Sequence, residues 1–117
     1  MSMPAFKKLV DEIKSEVQQI DPEEFQRMRQ AGEDFDIIDV REKEESEEGT
    51  IPGAVSLPRG ILEAQIDEVT TDFDRKIVCY CDGGSRSVLA VYMLKRMGFK
   101  NASSLMGGYR AWIARNR

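Results

Sequence analysis

Cys81 ends the apolar run Lys76-Ile77-Val78-Cys79-Tyr80 and is followed by Asp82-Gly83-Gly84-Ser85-Arg86-Ser87, then by the helical pattern Val88 to Leu94. These residue types at this spacing suit a thiolate that handles an anion. The thiolate rather than the thiol is the nucleophile, and a helix N-terminus and a nearby cation both favour it. Gly83 and Gly84 can take positive φ, so the loop can curl until successive backbone N–H groups point at one centre. The helix dipole and Arg86 add positive potential there. A cysteine near glycines can also be an inert strand residue beside an ordinary turn, but the added helix start and arginine favour the cradle. Asp82 works the other way, since its negative charge beside the nucleophile opposes docking of a dianion.

Cys79 lies inside the apolar run with no charge or donor near it and reads as an inert core residue, a resolving thiol being the lesser reading. Two residues apart on an extended strand, Cys79 and Cys81 cannot easily reach disulfide geometry. The chain has no histidine. That removes His-ligated metals, Ser-His and Cys-His pairs and imidazole acid–base chemistry together. No metal and no cofactor are expected.

Strands and helices must place Cys81. The run Lys76–Tyr80 reads as a buried strand, so Cys81 falls at a strand's carboxyl end, where open α/β sheets put their ligand sites. Further strands are expected at Asp36–Val40, Ala54–Leu57 and Ala102–Leu105, with a minor one around Gln19 and Ile20. Helices are expected from Met3 to Gln19, from Glu23 to Gln30 behind an Asp21 cap and Pro22, from Arg59 to Asp67 with Ile61, Leu62 and Ile66 inward, from Arg86 to a stop at Gly98, and from Tyr109 to Asn116. The acidic stretch Glu42–Glu48 reads as a loop or short solvated helix. Strands separated by helices imply a mainly parallel sheet covered on both faces.

The 117 residues, 41% hydrophobic and 32% charged, fit one globular domain. A net charge of −4, with 17 Lys and Arg against 21 Asp and Glu, argues against nucleic acid as a partner. The first eight residues lack an apolar signal region and no run is long enough to span a bilayer, so no membrane is expected and the cytoplasm is the expected location.

Three motifs in order give the chain a resemblance to the rhodanese-like family from about Ile20 onward. Asp39-Val40-Arg41-Glu42 with Gly49-Thr50-Ile51-Pro52-Gly53-Ala54 is similar to the family's upstream signature. Cys81 to Ser87 resembles its active-site loop, and Gly107-Gly108-Tyr109-Arg110-Ala111-Trp112 its closing motif. The resemblance implies an α/β, three-layer α/β/α fold with a mainly parallel central sheet over residues 20–117, preceded by a helical extension over 1–19. It implies a sulfurtransferase in which Cys81 carries a persulfide and the backbone of Asp82, Gly83, Gly84, Ser85 and Arg86 holds the anionic sulfur. The donor would be a small sulfur-containing anion such as thiosulfate, or a persulfide; the acceptor would be cyanide or a thiol, including a protein thiol.

Two other activities stay open: a rhodanese-like binding or persulfide-carrier module with little turnover, and a cysteine-dependent phosphatase or arsenate reductase. Related phosphatases have five residues between cysteine and arginine, against four here, and expelling an alkoxide calls for a general acid. Arg59, after another strand end, is expected either to face the same sheet edge and bind the donor or to be a surface arginine. Asp39 and Arg41 are expected to tie loops together rather than act as an acid–base pair. Thr50 stands where family members commonly have histidine, at a position read as structural. Tyr109 and Trp112 are expected to pack at the core or its edge.

Overall fold

The computed structural model describes residues 4–116. Five strands, β1 (Gln19–Ile20), β2 (Asp36–Asp39), β3 (Ala54–Ser56), β4 (Ile77–Tyr80) and β5 (Ala102–Leu105), form one sheet in the order β1-β5-β4-β2-β3, and every pairing is parallel. Six helices connect and flank them: α1 (Pro4–Ile13), α2 (Pro22–Gln30), α3 (Lys43–Glu47), α4 (Leu62–Gln65), α5 (Ser85–Arg96) and α6 (Gly108–Arg115).

Side-chain alternation along the central strand sorts the core into two layers. Ile77, Cys79 and Cys81 point to one face, into a cluster with Ile38, Val88, Val91 and Leu94. Val78 and Tyr80 point to the other, where Phe25, Met28, Ile51 and Leu105 pack with Tyr109 and Trp112 at the margin. Because helices cover both faces, β4 is buried at every position. That is why it reads as a continuous apolar run rather than an alternating one. The three-layer α/β/α architecture with a parallel sheet is the one expected from the strand–helix order.

Local signals hold where local chemistry decides. Asp21 caps α2, its carboxylate accepting from Glu24 N at 2.8 Å, with Pro22 in the first turn. Two expectations need correction. The first helix ends at Ile13 and a 3₁₀ turn, Lys14–Glu16, follows, because Val17 turns extended and inward before β1 pairs with β5. Met3, the expected start, lies outside the described residues. The helix expected from Arg59 begins only at Leu62, which sets Leu62 and Ile66 inward and leaves Ile61 exposed. Val10, Ile13 and Val17 belong to the same cluster as Cys79 and Cys81, with α1 lying on α5. No helix among the described residues is long and apolar enough to cross a membrane.

Candidate active site

At the carboxyl ends of β2, β4 and β5 the chain assembles one polar cluster around Cys81. The run β4 delivers Cys81 to the α5 side of the sheet, and Gly84, at φ +106°, turns the loop so that α5 starts directly over the sulfur. The first N–H groups of a helix have no partner within it. Here two of them converge on Cys81 Sγ, Gly84 N at 3.1 Å and Ser87 N at 3.4 Å. The sulfur thus occupies the place of an N-capping side chain, and Cys81 is 1% exposed. A negative sulfur in this position is favoured by both amides and by the helix dipole.

The expected site residues fall into two groups. Gly83, Gly84, Ser85 and Arg86 form the loop and first turn beside the sulfur, as does Asp82, but the charged side chains are turned to partners. Arg86 donates two hydrogen bonds to the Glu45 carboxylate of α3, at 2.7 and 3.0 Å. Asp82 accepts from Arg110 Nε at 2.6 Å, so its charge is balanced across the loop. Arg59 sits at the end of β3, its amide donating to Val40 O and its guanidinium bonded to Glu63 at 2.6 and 3.2 Å. The structure therefore brings Arg59 to the same sheet edge but ties it to α4 rather than to the loop.

The expectation of a solvated acidic stretch over Glu42–Glu48 needs revision for its middle. A capping box between Glu42 and Glu45 starts α3, which points Glu45 at Arg86 and Ser46 at Asp39. The Arg86 side chain is the first cause that holds the Glu45 carboxyl down to about 2.

Asp39 and Arg41 act as a tie. Both are buried, and Asp39 accepts from the Arg41 amide, the Arg41 guanidinium, Ser46 Oγ and Tyr80 OH at 2.8–3.3 Å. Burial pushes the Asp39 carboxyl up, but the Arg41 and Ser46 bonds outweigh it, and the net direction is down. Arg41 also donates to Gly49 O at 2.6 Å and lies 4.3 Å over the Tyr109 ring, which stacks between Tyr80 and Trp112. Ile51 N donates to Tyr80 OH, so the Gly49–Gly53 turn hangs on the same network. Cys79, fully buried, has its thiol pushed up to about 12 by desolvation, in keeping with an inert core residue.

Four residues of the site had no individual role assigned from sequence, although Ser87 and Gly108 fall inside two of the motifs. Ser87 brings an amide and a hydroxyl to the sulfur, and Ser104 of β5 holds that hydroxyl at 2.8 Å. Glu45 holds Arg86. Gly108 opens α6, whose Tyr109 and Arg110 amides donate to the carbonyls of Cys81 and Asp82 at 2.8 and 3.1 Å. A Cβ on Gly108 would collide with those two carbonyls. The one sequence signal for Ser104 was a serine pair inside an otherwise apolar strand.

The rhodanese-like domain model matches residues 21–115. The chain belongs to the rhodanese-like domain family. A protein named sulfurtransferase from Allochromatium vinosum is 33% identical over 96 residues, 82% of this chain and 88% of that protein. YrkF of Bacillus subtilis (strain 168) is 34% identical over 101 residues, 86% of this chain, which spans 54% of YrkF, about half that relative's length. A solved structure from Rhodopseudomonas palustris CGA009, a protein of unknown function described as a possible tyrosine phosphatase, superposes with a TM-score of 0.89 at 32% identity, covering 99% of this rhodanese-like chain and 95% of that one. Coverage that complete takes in α1, which lies outside the span of the family model.

Proposed function

We propose that this rhodanese-like protein is a sulfurtransferase that moves a sulfane sulfur from thiosulfate or a persulfide to a thiol or cyanide through a persulfide on Cys81. The observation that carries this reading is Cys81 Sγ seated under the Gly84 and Ser87 amides at the start of α5. The family's named sulfurtransferases support it.

With thiosulfate, the Cys81 thiolate attacks the outer sulfur, the sulfur–sulfur bond breaks, and its electron pair leaves on sulfite. Cys81 is left as a persulfide whose negative charge sits on the new outer sulfur. Cyanide or a thiolate then attacks that sulfur, and the electron pair of the Cys81 sulfur–sulfur bond returns to Cys81 as thiolate. Neither step transfers a proton, so a chain without histidine can complete the cycle. The loop amides stabilise the anion at each stage. The cytoplasm, where thiols stay reduced, suits such a nucleophile.

A phosphatase reading, the activity considered possible for the Rhodopseudomonas protein, fits less well. Expelling an alkoxide calls for a proton donor, and the two carboxyl groups beside the loop, Asp82 and Glu45, are each bound to an arginine.

The test is intact mass after exposure to thiosulfate or an alkyl persulfide, with thiocyanate formation followed in parallel. A gain of one sulfur that Cys81→Ser abolishes and Cys79→Ser retains is the expected result. Sulfur loading that survives Cys81→Ser sinks the assignment, and phosphate release from an aryl phosphate without sulfur loading replaces it with the phosphatase.

A further inference from the structure

Ser104 is the residue whose placement the catalytic loop does not by itself explain. It is fully buried in β5, a strand whose neighbours Ala102 and Leu105 are packed among apolar side chains. Among the described residues its hydroxyl has one partner, Ser87 Oγ at 2.8 Å. Ser87 Oγ in turn lies 3.5 Å from Cys81 Sγ and 3.3 Å from Gly84 O.

Counting protons decides the direction of each bond. A hydroxyl has one hydrogen to give and two lone pairs to receive with. If Ser87 donated to Ser104, the Ser104 hydrogen would be left buried without an acceptor, which is costly. Ser104 therefore donates to Ser87, and the Ser87 hydrogen is free to go elsewhere. With Cys81 as a thiol, the thiol donates to Ser87 Oγ and Ser87 donates to Gly84 O. A thiolate can only accept, so on deprotonation the Ser87 hydrogen turns from Gly84 O to the sulfur, where the bond is charge-assisted. Once a persulfide forms and the charge moves to the outer sulfur, the hydrogen can return to Gly84 O.

We propose that Ser104 is a positioning residue that holds the Ser87 hydroxyl so that its hydrogen swings between the Gly84 carbonyl and the Cys81 sulfur as the sulfur gains and loses charge. The proposal rests on Cys81 being the reactive thiolate, as in the function proposed above. It assigns to β5 a part in the chemistry beyond its place in the sheet. Polarisation along Ser104, Ser87 and sulfur makes the last bond stronger than an isolated hydroxyl would.

The test is the rate of Cys81 alkylation by iodoacetamide at neutral pH, located by mass spectrometry, together with the ultraviolet absorbance of the thiolate. Ser104→Ala should slow alkylation by about threefold and lower the thiolate absorbance, and Ser87→Ala should slow it by about tenfold. Because Ser104 acts through Ser87, the double variant should match Ser87→Ala alone. Ser104→Thr, which restores a hydroxyl, should return both readouts to within about twofold of the unaltered protein. A Ser104→Ala protein indistinguishable from the unaltered one overturns the proposal. So does a deficit that Ser104→Thr leaves unrepaired, or one that adds in full to that of Ser87→Ala. If Cys81 alkylates as expected but takes sulfur from no donor, the relay stands and the sulfurtransferase reading falls.

Discussion

At Cys81 and its neighbours, reactivity is set by which side chains are free and which are engaged. The sulfur meets backbone donors and one hydroxyl, while each charged side chain of the loop is bound to a partner of opposite sign. Cys79, two residues away, has no donor on its sulfur, and desolvation pushes its thiol up to about 12, so it is held neutral. Replacing it with serine should lower stability by about 1–3 kcal/mol, because a hydroxyl would be buried without a partner, yet leave sulfur loading of Cys81 intact. Urea unfolding and intact mass measure the two effects separately. The Asp39–Arg41 tie is more consequential for stability. Arg41→Ala strands a carboxylate in the core and should cost about 3–5 kcal/mol in urea unfolding.

The elements explain why a loop this small holds its shape. The first turn of α5 is capped by the sulfur from beneath, and the first turn of α6 takes the Cys81 and Asp82 carbonyls from the side. The two glycines of the closing motif make that approach feasible. Gly108 has φ +57° and faces two carbonyls with no room for a Cβ. Gly108→Ala should therefore lower stability by more than about 1 kcal/mol and reduce sulfur loading of Cys81. Gly83 is the control, with open space around it and no left-handed φ. Gly83→Ala should be neutral or raise stability by up to about 1 kcal/mol in the same unfolding measurement, with loading preserved.

Across the molecule, the N-terminal helix and the acid-sensitive ion pairs join the site to global stability. Val10 and Ile13 of α1 pack in the cluster that contains Cys81. Ile13→Ala should cost about 2–5 kcal/mol, which thermal or urea unfolding reads. A cost near zero would mean that α1 is a separable extension. The Glu45 carboxyl is depressed in the folded protein, so its contribution is fully present above its ordinary value of 4.5 and is lost as pH falls from there toward about 2. Asp39, depressed in the same direction, adds to the loss in acid. Unfolding midpoints measured down through that window should fall, and Glu45→Gln should flatten part of the slope.

The sequence alone determined what depends on neighbours along the chain. The continuous apolar run of β4, the Asp21 cap and the glycine-rich turn after Cys81 are local patterns, and they sufficed for the strand–helix order and the layers. The boundaries at Ile13 and Leu62 were less legible, because the packing of Val17 and the phase of Leu62 and Ile66 override helical spacing. Only the tertiary structure decided the partners of the site's charged and polar side chains. Arg86 finds Glu45 across 41 positions, Asp82 finds Arg110 across 28, and Ser87 finds Ser104 across 17. No local rule pairs residues so far apart. They meet because a parallel sheet gathers the carboxyl ends of separate strands at one edge, where the buried serines must satisfy one another and the half-exposed charges find partners of opposite sign.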